Sequence, residues 1–308
     1  MSSSLLSRRY FIASLGAAAI ASTAGLESFA SLLKSTSAIR FGYASITWEG
    51  NDAQAIKDIS ALGFPGIQLR SNILKEYGEK PAALKELLAQ YKLEMVALSS
   101  GGVGIAPNTE ADEITKHVSN AKFVSNVGGK YLQVTDSALP KDRKPEAADY
   151  KQLGKLLTEI GKRTKDLGIP LGYHNHMSSL GEAPNQVDWI MDAADPRYVK
   201  LELDIAHYQQ GGGDPVRAIQ QYKDRLLFLH IKDVETVAAA DERNRNYRFV
   251  ELGRGRVDLK GVFAALDKAK FKGWAVVELD AVPDKARTPK ESGQISKTYL
   301  EQKLGLHV

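Results

Sequence analysis

A chain of 308 residues with no cysteine excludes disulfides, thiolate metal sites and cysteine nucleophiles, so any metal must rest on His, Asp and Glu. With 43% hydrophobic and 25% charged residues, it has the composition of a globular protein, long enough for one large α/β barrel or two ordinary domains. The net charge of +4 is spread along the chain without a dense basic block, which argues against a nucleic-acid partner.

The chain begins with an export-like segment. "SRRYFIASLGAAAIASTAGLESFAS" has a paired-arginine head, an apolar stretch starting at Tyr10, and small residues at Ser28 and Ala30. This layout predicts a twin-arginine-type signal peptide over residues 1–30, a mature chain beginning near Ser31, and a periplasmic protein. The stretch is short and alanine-rich for a permanent membrane anchor, and no other segment is long and apolar enough to span a bilayer.

From Ile39 onward, strand-like and helix-like runs alternate. The strand-like runs are "IRFGYASIT", "GIQLRS", "EMVALSS", "KYLQVTD", "PLGYHNH", "VKLELD", "LLFLHIKD" and "WAVVELD". Between them, apolar residues recur three or four apart, as in Ile56/Ile59/Leu62 and Leu153/Leu156/Leu157/Ile160, the period of an amphipathic helix. Gly63, Gly128 and Gly168 stand where a left-handed stop would end a helix before the next strand. A last helix is expected over roughly Ser292–Leu304. The rhythm predicts a single (β/α)₈ TIM barrel over residues 39–308. A doubly wound sheet would want a glycine-rich phosphate loop after its first strand, and "GYASITWEGND" has none.

Active sites of this fold gather at the C-terminal mouth of the barrel, so polar residues at strand ends are the candidates. Run five offers His174 and His176, run six Glu202 and Asp204, run seven His230 and Lys232, and run eight Glu278 and Asp280. Side chains alternate along a strand, so Glu202 and Asp204 share one face, and two inward carboxylates call for a cation. The best ligand set for one divalent ion (Mn²⁺, Zn²⁺, Co²⁺ or Mg²⁺) is His174, Asp204, His230 and Glu278.

The stretches "LGIPLGYHNH", "LELDIAHYQQGGGDP", "LLFLHIKD", "ELGRGRVD" and "GWAVVELD" resemble the xylose isomerase-like barrel superfamily. That superfamily holds sugar isomerases, epimerases and inosose dehydratases, together with endonuclease IV. The resemblance implies a metal held by an acid on strand five, Asp204, His230 and Glu278, with His207 and Lys232 near substrate oxygens. Many sugar epimerases of the group have a glutamate where this chain has His174; the "YHNH" form resembles the inosose dehydratase branch and a broad set of exported sugar isomerase-like proteins. In that branch acidic and aromatic residues usually follow, whereas here the chain continues Met177-Ser178-Ser179.

The resulting expectation is a metal-dependent isomerase or epimerase acting on a sugar, keto-sugar or cyclitol through an enediolate. Glu278 is the expected base, and Lys232 and His207 complete the catalytic set. His176, Trp48 and Glu202 are the expected substrate contacts. A dehydratase of the inosose type is the alternative, followed by a non-catalytic sugar binder. With only one obvious base, 1,2-isomerisation or β-elimination is favoured over free epimerisation. Endonuclease chemistry is disfavoured, because the chain has six histidines, two of them peripheral (His117 and His307), and an export signal that would remove it from DNA. "DERNRNYRFVELGRGR" reads as a solvated charged loop and His117 as a surface residue. No nucleic acid and no stable membrane anchor are expected; an oligomer is compatible with the sequence.

Overall fold

The polypeptide enters the barrel through β1 (Ile39–Ala44) and continues through β2 (Gly66–Arg70), β3 (Glu94–Val103), β4 (Tyr131–Asp136), β5 (Leu171–His174), β6 (Val199–Asp204) and β7 (Leu226–Ile231). A hairpin of β8 (Asp233–Thr236) and β9 (Tyr247–Val250) follows, and β10 (Gly273–Val277) is the last barrel strand. The structure, a computed structural model, describes residues 39–137, 139–140, 143–238 and 245–308. The expected signal peptide lies outside the described residues. The barrel closes in the order β1-β10-β7-β6-β5-β4-β3-β2, while β8 and β9 pair only with each other, antiparallel.

The intervening helices are α1 (Asp52–Ala61), α2 (Leu74–Tyr77), α3 (Pro81–Gln90), α4 (Glu110–Val127), α5 (Ala147–Asp166), α6 (Pro184–Ala193), α7 (Ile205–Gln210), α8 (Pro215–Gln221), α9 (Leu259–Lys268) and α10 (Pro289–Thr298). The chain leaves α10 through a π-helical turn over Tyr299–Lys303, so the expected last helix is found with its final turn wound more loosely. Gly63, Gly128 and Gly168 have φ of 88°, 89° and 76°, the left-handed stops that the sequence predicts. Among the described residues, no helix is long and apolar enough to cross a membrane.

Strand alternation divides the apolar residues into two cores. One row, including Tyr43, Ile67, Leu132, Tyr173, Leu203, Ile231 and Val277, packs with the apolar faces of the helices. The other cluster plugs the barrel with Val96, Phe228, Trp274 and Val276. Tyr131 stacks on Phe228 at 5.4 Å between ring centroids. Gly66 is needed beside this plug, because a Cβ there would lie 2.3 Å from the Trp274 ring. The plug fills the lower barrel and leaves the C-terminal ends of the inward rows free to carry polar groups.

Two sequence expectations are corrected here. The charged segment after strand seven is not simply a loop: Tyr247–Val250 forms β9, with Tyr247 and Phe249 buried and Arg248 exposed, the alternation of a half-buried strand. His117 is fully buried rather than at the surface. It lies on the α4 face that carries Asn120, Ala121, Val124 and Val127, whose three- and four-residue spacing turns it inward.

Candidate metal centre

His174 is the last residue of β5 and Asp204 the last of β6; His230 lies one residue from the end of β7, and Glu278 follows β10. One ligand atom from each of these four lies within 4.8 Å of the others. The register explains the convergence. Asp204 pairs with His230 across β6 and β7, and His174 pairs with Glu202 across β5 and β6. A shift in register between Leu201 and Glu202 sets the alignment in which Asp204 lies beside His230.

Several groups hold these side chains in place. Asn175 accepts from the Asp204 backbone N–H at 3.0 Å and donates to the Asp204 carbonyl at 3.1 Å, tying the end of β5 to that of β6. Asp204 Oδ1 caps α7, accepting from the N–H groups of Ala206 and His207 at 2.9 and 2.8 Å, which leaves Oδ2 for the barrel interior. His230 Nε2 lies 2.9 Å from Gln68 Oε1 and, facing an amide oxygen, is the nitrogen that donates. Its Nδ1 is thereby turned toward Glu202 Oε1 (3.4 Å), Asp204 Oδ2 (3.6 Å) and Glu278 Oε1 (3.3 Å). Asn175 and Gln68 were not anticipated. The signals were present, as the middle residue of "HNH" and as the one polar side chain inside the buried part of "GIQLR".

Lys232 is fully buried beside this cluster. Its Nζ donates to Glu278 Oε1 at 3.0 Å and to Asp280 Oδ1, and lies 3.7 Å from Asp204 Oδ2. Burial disfavours the ammonium, but the Asp280, Glu278 and Asp204 carboxylates outweigh it and hold the group well above the usual lysine range. The reciprocal balance applies to Glu278: burial raises its pKa, yet the charges of His230 and Lys232 hold it well below the ordinary carboxylate value. His207 Nδ1 accepts from the Met177 N–H at 3.1 Å, and its Nε2 lies 3.2 Å from Lys232 Nζ. Burial, reinforced by Lys232, keeps that ring neutral, far below the usual histidine pKa.

Phe249 covers this group, with its ring 4.1 Å from Lys232 Nζ and 4.7 Å from the His207 ring. His176 stands beside His207 at 4.0 Å between ring centroids, and its Nδ1 is 2.6 Å from the Met177 carbonyl. Two expected substrate contacts are placed differently. Trp48 is 5% exposed, packs edge-on against Tyr43 and donates from Nε1 to Asp58 at 2.9 Å; its indole belongs to the core between β1 and α1. Glu202 is fully buried, with its oxygens against His174 and His230 rather than toward an opening.

The fit of a cation follows from the polar atoms themselves. His174 Nδ1, Glu202 Oε1 and Oε2, Asp204 Oδ2 and His230 Nδ1 are all buried and have no hydrogen-bond partner. Buried polar atoms are ordinarily satisfied, and leaving several unpaired in one place is costly. A mixed imidazole and carboxylate set is well suited to a borderline divalent ion.

A family model described as "Xylose isomerase-like TIM barrel" matches residues 56–298. The chain belongs to that family. Among its relatives is an inosose dehydratase of Lacticaseibacillus casei, 26% identical over 300 residues, with 87% of this chain and 98% of the relative covered. The barrel superimposes on the IolI protein crystallised with a zinc atom, with a TM-score of 0.72 at 20% identity, covering 86% of this chain and 97% of that one. It also matches the probable 3-DHS dehydratase AsbF of Bacillus anthracis, with a TM-score of 0.68 at 16% identity, covering 85% of this chain and 98% of that one.

Proposed function

We propose that the protein is a divalent-metal-dependent lyase that removes water from a polyhydroxylated ketone, a keto-cyclitol or keto-sugar. The observation that carries this reading is the pairing of Glu278 with the buried Lys232 ammonium at 3.0 Å, at the edge of the His174, Asp204, His230 and Glu278 cluster. It provides one ionised carboxylate to accept a proton and one fixed positive charge beside it. Similarity to an inosose dehydratase favours elimination over the isomerase reading drawn from the sequence alone. Those four residues would hold the ion, which when bound supplies polarisation of the substrate carbonyl.

The chain's own groups account for the proton movements. Glu278, kept ionised by His230 and Lys232, takes the proton α to the carbonyl, and the C–H electron pair becomes that of the enolate. Lys232 remains protonated and stabilises the developing negative charge. The proton on Glu278 then passes to the departing β-hydroxyl as the C–O bond breaks, so water leaves and the carboxylate is restored. Free epimerisation would require an acceptor on the opposite face of the carbon. Glu202 is too deeply buried for that role, and His207 is itself enclosed beside Lys232.

Metal-loaded protein incubated with a panel of inososes and keto-sugars should yield a product lighter by one water, detected by mass spectrometry. Measured at saturating metal, Glu278→Gln should lower that rate by about 10³-fold or more, the scale of losing a positioned acid–base group. Conversion only to products of unchanged mass would replace dehydration with 1,2-isomerisation or epimerisation.

A further inference from the structure

Glu202 stands out among the carboxylates of the site. Glu278, Asp280 and Asp204 all lie within reach of Lys232. Glu202 is fully buried, and neither of its oxygens has a hydrogen-bond partner. Its near neighbours are His174 Nδ1 at 2.5 Å and His230 Nδ1 at 3.4 Å. Both ring nitrogens are also without a hydrogen bond, so these approaches are close but not aligned for proton sharing. The unpartnered atoms come from three adjacent strands and point at one another, as donor atoms do around a shared cation.

The backbone accounts for this placement. Glu202 is the cross-strand neighbour of His174, so a donor at either position reaches the same part of the barrel interior. Glu202 and Asp204 are two residues apart on β6 and share its inward face. Gly172 leaves the space that Glu202 occupies, because a Cβ on Gly172 would lie 3.2 Å from that of Glu202.

We infer that Glu202 is a fifth protein ligand to the divalent ion, joining His174, Asp204, His230 and Glu278 from the barrel side. This rests on the metal-dependent reading above. It also revises the charge of the site: three carboxylates around a doubly charged ion leave a net negative charge, whereas the four-residue set is neutral. Two imidazoles and three carboxylates make five protein donors, more than tetrahedral Zn²⁺ uses, and they suit a six-coordinate ion such as Mn²⁺ with a position left for a substrate oxygen.

Chelator-stripped full-length protein can be titrated with Mn²⁺ while free ion is followed by electron paramagnetic resonance, and folding by circular dichroism. Wild type should bind one Mn²⁺ per chain. Glu202→Gln, nearly identical in shape, should raise the Kd by about 100-fold or more, exceeding the 10–100-fold typical of groups that only support a ligand. The double variant His174→Glu/Glu202→Gln returns a carboxylate to the paired register position and should regain affinity to within about 10-fold of wild type, on the same scale. Wild-type affinity in Glu202→Gln, alongside lost binding in Asp204→Ala, would overturn the fifth ligand and leave the metal-dependent reading intact. If Glu202→Gln does not fold, the double variant decides the matter, and a folded double variant that binds no Mn²⁺ overturns the proposal. A wild-type chain that binds no divalent ion at all overturns both.

Discussion

His117 is enclosed by Ser100, Glu113 and Asn120. Ser100 Oγ lies 2.6 Å from Nδ1 and accepts from Asn120 at 2.8 Å, while Glu113 lies 3.3 Å from Nε2. Burial, aided by Lys116, lowers its pKa to about 4. In the unfolded chain the ring titrates near 6.5. Below that pH the unfolded state takes up a proton that the folded state refuses, so stability is complete above about 6.5 and declines as pH falls toward 4. The contribution lost across that window is on the order of 3 kcal/mol. Urea denaturation at pH 7 and at pH 4.5 should show a smaller acid loss in His117→Gln than in wild type. Equal losses in the two proteins would assign the acid sensitivity to other groups. The surface reading of His117 failed because the Ser100 hydroxyl lies on a different element. The sequence shows a polar residue on a helix, but not the partner that makes its burial tolerable.

Asp233 does for one element what Asn175 does for the strand ends. Its buried carboxylate accepts from the backbone N–H groups of Val234, Gly253, Gly255 and Val257, all at 2.9–3.0 Å. This gives a physical reason for two motifs that stood out in the sequence, "HIKD" and "GRGRVD": the aspartate of the first pins the loop of the second. Gly255 admits that contact, because a Cβ there would lie 2.2 Å from Asp233 Oδ1. The pinned loop holds the hairpin that brings Phe249 over Lys232 and His207. Asp233→Ala takes the acceptor from four backbone donors, two of them on buried residues, and should cost about 3 kcal/mol in chemical denaturation. It should also lower kcat by freeing the Phe249 cover. An unchanged kcat in a folded variant would show that the cover plays no part in turnover. The hairpin was illegible beforehand because β9 is four residues long and lies in a charged stretch, where the alternation of Tyr247 and Phe249 with Arg248 spans too few positions to stand out.

At the scale of the whole barrel, the eight-fold alternation and the levels of His174, Asp204, His230 and Glu278 were legible because strand period and fold symmetry together locate the mouth. Which inward residues point down into the plug, and which side chains turn away from the mouth, was not. Trp48 and Glu202 illustrate this: both stand near strand ends, but one bonds to a helix and the other faces two imidazoles. The same arrangement predicts how an ion would act on the molecule. Its donors belong to β5, β6, β7 and β10, three of which are consecutive in sequence, while β10 lies beyond the hairpin and α9. A bound ion would therefore tie Glu278, in about the last tenth of the chain, to β5, β6 and β7, and it can stabilise only the folded state, in which these strands are neighbours. At a free-ion concentration 100 times the Kd, linkage gives about 2.7 kcal/mol. In a chain of this size that is a rise in Tm on the order of 5 °C. Differential scanning calorimetry of chelator-treated wild type with and without Mn²⁺ should show this rise, growing with the logarithm of ion concentration. In Asp204→Ala it should vanish, because that variant loses a ligand from the middle of the set and the Oδ1 cap on α7. A shift of the same size in Asp204→Ala would mean that the ion binds elsewhere on the molecule.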